Sequence, residues 1–287
     1  MALLLLGDNS GVVQYSSGES LSNILSDISN FLTTHGWEIW DNQSTSNYIV
    51  FRARCEAGVP YKYLNVSLGS VGYCVTSVYQ DWNNTTHTGV NPAYNSTSTT
   101  YSQKIDTTNG GELYIFATAD YAVFLSHVNG TYGVGSYNLP TGVAECKVLN
   151  PTLTTNDCSF FWFNGLGRNS NMYTPYLIGK YSNTGGLSFN GLSAVLENNY
   201  TIPVFRTGIN PLTGKPDFYT ANMLSTNSAV FLIGNIKGMI FSTGSIGGYL
   251  DEIEITYNNI TGAIDPNGST TSFYTIPIRY ITMGILK

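Results

Sequence analysis

A chain of 287 residues with a formal net charge of −6 and only 10% Asp, Glu, Lys and Arg argues against wrapping nucleic acid or lying on an anionic membrane, since both need a basic surface. Hydrophobic residues make up 42% and aromatic residues 13%, enough for a sizeable core in one elaborated β unit or two modest ones. A typical soluble domain is about a quarter charged; here Ser, Thr, Asn, Gly and 21 Tyr carry the polarity, a surface suited to packing against neighbours or to life outside the cell.

The opening run, Met1-Ala-Leu-Leu-Leu-Leu-Gly7, lacks the basic n-region of a signal peptide, and its apolar stretch is shorter than the about 7–15 residues of an h-region. No later stretch reaches the about 18 apolar residues of a membrane span, so a soluble chain with no Sec-type export signal is expected. Before Arg52 the only charges are Asp8, Glu19, Asp27, Glu38 and Asp41, read as a solvated acidic face. Gly7-Asp-Asn-Ser-Gly11 superficially matches a serine-protease nucleophile loop. It precedes every histidine and matches imperfectly, so it is discounted.

Leu21, Ile24, Leu25, Ile28, Phe31 and Leu32 fall on one stripe at helical spacing, with Ser17 or Ser20 to cap the start and Gly36 to end it. The pattern predicts one amphipathic helix over residues 20–35, with His35 complementing the dipole at its end. Trp37-Glu38-Ile39-Trp40 then reads as a strand, with Trp37 and Ile39 on one face and Glu38 and Trp40 on the other. Further strands are expected over residues 48–54, 61–67 and 72–79. The polar stretch from Asp81 to Gln103 reads as an extended loop, and loops this long are usually functional or disordered; Trp82, Tyr94 and Tyr101 favour one that docks onto something.

Residues 112–118, 121–128 and 131–137 predict a three-stranded antiparallel meander, because Asn129-Gly130 between alternating runs is the signature of a type I′ hairpin. Past Pro140 the helical period does not return. Short strands are expected at 159–163, 172–177, 228–234, 239–242, 253–257 and 274–281, the last demoted to an edge or bulge by Pro277. The expected fold is therefore mainly β within the α+β class: an antiparallel sandwich or barrel-like core with the N-terminal helix packed on the sheet. Residues 1–140 would form the α+β core and 141–287 a β-rich continuation or second β domain.

Chemical motifs are sparse. Cys55, Cys74, Cys146 and Cys158 are separated by 18, 71 and 11 residues, a spacing that fits neither a zinc site nor a redox dithiol, so buried thiols are expected. Nine Asn-X-Ser/Thr sequons follow from a composition this rich in Asn, Ser and Thr. Asp251, Glu252, Glu254 and Asp265 invite comparison with a calcium site, which needs six to eight oxygens. Strand alternation would instead send Glu252 and Glu254 to one face and Asp251 to the other, giving a solvated acidic strand. His35, His87 and His127 form no metal or triad pattern, and the glycines from Gly238 to Gly248 lack P-loop chemistry. No catalytic, metal or cofactor residue is nominated, and a non-enzymatic chain is expected. Interface candidates are Trp82, Tyr94, Tyr101, Tyr173 and Tyr176, because Tyr and Trp anchor protein interfaces and also stack on sugars.

A helix ending in Phe31-Leu-Thr-Thr-His-Gly-Trp37, followed by Leu113-Tyr-Ile-Phe116, Ala122-Val-Phe-Leu125 and Tyr132-Gly-Val-Gly135, resembles small α+β structural proteins of the neck, collar, tail or baseplate of contractile-tailed bacteriophages. The resemblance implies a virion component, assembled in the host bacterial cytoplasm as a homo-oligomeric ring with other virion proteins, with neither sequence-specific nucleic-acid binding nor a membrane. The alternative is a fibre-like or lectin-like adhesion module for host glycans. An enzyme acting on cell wall or polysaccharide ranks last.

Overall fold

The computed structural model describes residues 2–55, 61–69, 72–92, 103–129, 136–137, 140–148, 160–163, 176–178, 188–190, 218–225, 231–243, 247–260, 262–278 and 281–287. The chain opens with a hairpin of β1 (Ala2–Gly7) and β2 (Ser10–Tyr15), then α1 (Leu21–Thr34). Next come β3 (Glu38–Gln43), β4 (Tyr48–Arg54), β5 (Tyr61–Gly69), β6 (Tyr73–Asn83), β7 (Thr88–Pro92) and β8 (Gln103–Lys104). A central group holds β9 (Gly111–Thr118), β10 (Tyr121–Val128), β11 (Ser136–Tyr137), β12 (Thr141–Val148), β13 (Phe160–Phe163), β14 (Tyr176–Ile178) and β15 (Ser188–Asn190). The remainder is β16 (Phe218–Ser225), β17 (Phe231–Thr243), β18 (Glu252–Asn258), β19 (Ala263–Ile264), β20 (Ser269–Ile278) and β21 (Ile281–Leu286). The fold is mainly antiparallel β with a single described helix, as the alternating strands and lone helical stripe predict.

Two sheets result. The smaller runs β3-β4-β5-β6-β7, with β8 also beside β6; the larger follows β1-β2-β9-β10-β12-β17-β21-β20-β18-β19. The larger sheet passes through residue 140 without interruption, because β12 pairs with β10 on one side and β17 on the other.

The helix forms where its stripe can be buried. Ser20 Oγ accepts the Asn23 amide N–H at 3.2 Å, and Ile24, Leu25, Ile28, Phe31 and Leu32 are buried. At its end Gly36 takes φ +89° and sits where a Cβ would lie 2.9 Å from Ala119 Cβ, so both conformation and space require glycine. Trp37 follows at once: its amide donates to the Leu32 carbonyl at 3.1 Å and its indole to the Thr118 carbonyl at 2.8 Å, locking the helix exit to the β9–β10 turn.

The main core lies between the sheets. Ile49, Phe51 and Ala53 of β4, Leu64, Val66 and Leu68 of β5, and Cys74 and Val78 of β6 form one wall; Val13, Leu113, Ile115, Ala117, Ala122, Phe124 and Val143 form the other, with the helical stripe in the same cluster. Within this wall, on the inward register of β5, sits Lys62, whose ammonium lies 3.2 Å from Glu145 Oε2 of β12 with side-chain exposures of 0% and 1%. Lys62 also donates to the Arg54 carbonyl at 3.3 Å. A second cluster, Ile240, Tyr257 and Phe273, closes the far part of the large sheet. Cys55 and Cys74 are buried as expected; burial pushes the Cys74 thiol up to about 12. The Cys146 side chain and Cys158 lie outside the described residues.

Several expectations need correction. The apolar N-terminus, for which no element was expected, is a strand, β1, with Asp8 and Asn9 in the tight turn to β2. Ile39 is exposed while Trp37 is buried, because Trp37 belongs to the anchored helix exit and the strand begins at Glu38. The expected 81–103 loop is a hairpin over its first half: β6 continues to Asn83 and pairs with β7, and the Asn83 side chain accepts the Thr85 and Thr86 amides at 2.9 and 3.1 Å, closing the turn as an Asx motif. The Asn129-Gly130 turn is not the two-residue hairpin loop, since His127 pairs with Tyr137 and Val128 with Ser136. The connection therefore encloses residues 129–135. The described part of the run 228–234, from Phe231, merges with the run 239–242 into β17, with Gly238 at φ +71° against the Tyr121 ring; residues 228–230 lie outside the described residues. The final run is not one strand: β20 ends at Ile278, which pairs with Ile281 of β21; Pro277 lies beyond the end of the β18 pairing, which stops at Tyr274, so its missing N–H costs no ladder bond on that side.

Two stability outcomes follow from this packing. Ile28→Asp places a charge at a fully buried position and costs at least about 3 kcal/mol, read as a Tm drop of about 6 °C or more. Lys62→Met strands a buried carboxylate and costs about 3–5 kcal/mol, whereas the Lys62→Met, Glu145→Leu double variant recovers most of that loss in denaturant unfolding.

Candidate binding face

The smaller sheet has a second face, built by the same alternation that fills the core. In β4, Ile49, Phe51 and Ala53 point inward, which sends Tyr48, Val50 and Arg52 outward. Val50, Tyr63, Tyr79 and Trp82 make a buried cluster on that side, with Trp40, Tyr48 and Tyr61 packed around it. The Arg52 guanidinium carbon lies 3.9 Å from the Trp40 ring centroid and 4.4 Å from that of Tyr61, and its Nε donates to Glu38 at 2.8 Å. A planar cation held between two rings is fixed by cation–π attraction on both sides.

Beside it, Asp41 anchors the β6–β7 turn. Its Oδ2 accepts the Trp82 indole N–H at 2.8 Å and lies 2.8 Å from His87 Nδ1, while Oδ1 accepts from Gln43 at 3.0 Å. Burial works to raise the Asp41 carboxyl, but the hydrogen bonds from His87, Trp82 and Gln43 outweigh it and hold the group below its ordinary value. His87 reaches the carboxylate from a left-handed backbone at φ +54°, a conformation that costs energy in a non-glycine residue. Trp40 completes the corner by donating to the Trp82 carbonyl at 3.2 Å. Gly89 is required here because a Cβ would fall 2.0 Å from the Tyr79 ring.

A smaller ring cluster lies on the larger sheet. Tyr137 stacks between His127 at 4.4 Å and Tyr249 at 4.2 Å. Tyr114 donates to Glu112 at 2.7 Å, and Gln14 does so at 3.1 Å.

These faces present rings, amides and fixed ions. Among the described residues no group of three or more His, Cys, Asp or Glu is placed to hold a metal ion. The three histidines sit apart: His35 on the helix end, with Nδ1 2.6 Å from the Phe31 carbonyl, His87 at Asp41, and His127 at Glu112. The acidic residues of the last third also disperse. Glu252 and Glu254 are exposed on β18, Glu252 pairs with Lys287 at 2.7 Å, Asp251 accepts the Gly248 amide, and Asp265 accepts the Asn267 amide.

Of the five interface candidates, Trp82 is 5% exposed and holds its own hairpin together. The backbone of Tyr176 lies in β14 opposite Trp162, and its side chain is outside the described residues, as are Tyr94, Tyr101 and Tyr173. Trp40, Arg52 and Tyr61 were not among the candidates. The alternation of Tyr48, Val50 and Arg52 against Ile49, Phe51 and Ala53 signals the outward placement of Arg52 but not its meeting with the two rings.

Because the Asp41 carboxyl is depressed in the folded chain, its contribution to stability is present above its unfolded value, near 3.8, and is lost as pH falls through the lower folded value. The Tm difference between wild type and Asp41→Asn is therefore constant above about pH 5 and shrinks below about pH 4, measurable by thermal unfolding across that range. No protein-family model matches the chain, and no curated protein matches it in sequence.

Proposed function

We propose that this chain is a non-enzymatic structural component of a tailed-phage virion, assembling into the neck, collar, tail or baseplate as a homo-oligomeric ring with other virion proteins. The observation that carries the reading is how the few charges are used. Among the described cationic side chains, Arg52, Lys62, Lys104, Lys237 and Lys287 pair with carboxylates of the same chain. Pairing inward leaves faces rich in rings, hydroxyls and amides, which identical subunits can bring together without burying unpaired charge. The exposed apolar side chains Leu4, Leu5, Ile39, Val90 and Ile260 add anchors of the kind interfaces use.

A second reading rests on the partly exposed Trp40 and Tyr61 rings flanking Arg52. Rings beside fixed polar groups also suit a host glycan, as in a fibre-like or lectin-like adhesion module.

Mass spectrometry of gradient-purified phage particles tests the first reading: the chain is expected at a fixed ratio to the other virion proteins, and its absence overturns the proposal. Glycan-array binding that is lost in Tyr61→Ala and Arg52→Ala while Tm holds favours the adhesin instead. Trp82→Ala is unsuited to that comparison, since removing a buried Trp costs about 3–5 kcal/mol by itself.

A further inference from the structure

His35 lies between two main-chain oxygens. At the C-terminal end of α1 its Nδ1 is 2.6 Å from the Phe31 carbonyl oxygen, one turn back, and its Nε2 is 3.0 Å from the Asp8 carbonyl oxygen in the β1–β2 turn. A carbonyl oxygen can only accept. Neutral imidazole carries one N–H and one bare lone pair, whereas imidazolium donates from both nitrogens. The protonated ring therefore satisfies both contacts, and in either neutral tautomer one carbonyl oxygen faces a nitrogen lone pair. Turning the ring over gives no relief, since it would press a ring carbon against the Phe31 oxygen. The Thr34 hydroxyl, 3.0 Å from Nδ1, donates to that same Phe31 oxygen at 2.8 Å. Two surroundings favour the cation: the negative end of the helix dipole and the Phe31 ring stacked on the imidazole at 4.0 Å, a cation–π arrangement. The last turn of α1 holds no basic residue. Of the charged groups on the elements packed around the ring, Asp8 is exposed on the β1–β2 turn, Asp120 of the β9–β10 turn pairs with Lys237 at 3.1 Å, and Lys287 pairs with Glu252 at 2.7 Å.

We propose that His35 is a proton-dependent clasp: as imidazolium it ties the β1–β2 turn to the end of α1, and on losing its proton it keeps the Phe31 contact and releases Asp8. The Phe31 contact is the one retained because it is the shorter and closes within a single helical turn, whereas the Asp8 contact joins two elements 27 residues apart. Other ties at the same turn run from the Asn9 side chain to the Lys287 carbonyl at 2.8 Å and from the Ala117 amide to the Asn9 carbonyl at 2.9 Å. Both are amide hydrogen bonds that do not titrate, so they keep the hairpin in place while pH acts on the turn through His35. The clasp thus couples the proton state of one ring to how firmly the end of the larger sheet is held against the helix.

Nitrogen-15 NMR of the full chain tests the donor count directly: at about pH 6 the His35 ring is expected to show two N–H groups, both protected from exchange with water. Thermal unfolding of wild type and His35→Gln across pH tests the coupling. A tie made by the protonated ring contributes in full below about pH 6.5, the ordinary histidine range, and is lost as pH rises above it. The wild-type Tm therefore exceeds that of His35→Gln by about 2–4 °C at about pH 5.5, and the difference falls below about 1 °C at about pH 8.5. Asp8→Asn removes the neighbouring carboxylate but leaves the main-chain oxygen, so the pH dependence is expected to persist in it. A Tm difference that stays level with pH overturns the proposal, as does a His35 ring with fewer than two protected N–H groups. Loss of the pH dependence in Asp8→Asn overturns it too, by assigning the hold to the carboxylate.

Discussion

The Lys62–Glu145 ion pair is the constraint on which the arrangement of the two sheets depends. Removing two charges from water costs several kcal/mol per ion, and the attraction offsets that only when the geometry is held closely. Lys62 meets the condition from a position flanked along β5 by Leu64, Val66 and Leu68, where a one-residue slip would turn Tyr61 and Tyr63 into the core and the ammonium out. Glu145 answers from β12, in the other sheet. The pair thus fixes which face of the smaller sheet looks inward and how that sheet sits against the larger one. The Trp37 ring, 5.5 Å from the ammonium, brings the helix exit into the same arrangement.

The outward face inherits its composition from this choice. Once Ile49, Phe51 and Ala53 face the core, Tyr48, Val50 and Arg52 must face away, and the cluster around Trp82 forms without further instruction. Asp41 then performs outside the core the task that Glu145 performs inside it. Each carboxylate joins strands distant in sequence, Asp41 by uniting β3 with the β6–β7 turn. The two differ in exposure of their partners: Lys62 is sealed, whereas the His87 side chain is 41% exposed. The inner anchor sets the fold and the outer one sets the shape of a surface.

Legibility in the sequence follows the range of the interactions. The helix was readable to its caps because Ser20, the apolar stripe and Gly36 act within a few residues of one another. Strands β4 and β5 were readable because their alternation is local. The β1 strand was obscured because four consecutive leucines carry no period, and its pairing with β2 is a matter of a two-residue turn with no Asn-Gly signature. Asn129-Gly130 misled for the opposite reason: a strong local turn signal is overruled by the register between β10 and β11. Of the binding face, Trp82 was singled out but for an exposed role. Its burial depends on Asp41, 41 residues earlier, and no local pattern reports such a contact. Arg52 between Trp40 and Tyr61 is likewise a product of three strands meeting.

The contacts that join the first hairpin to the final strands span almost the whole chain. Asn9 donates to the Lys287 carbonyl at 2.8 Å, and Tyr274 to the Leu6 carbonyl at 3.0 Å, across 278 and 268 residues. During synthesis the first hairpin therefore waits, without these contacts, until residues 274–287 have left the ribosome. Topologies closed by such distant contacts fold slowly, and unpaired strand edges in the interval invite wrong partners. A leucine-rich edge made long before the residues that secure it spends that interval open to such partners.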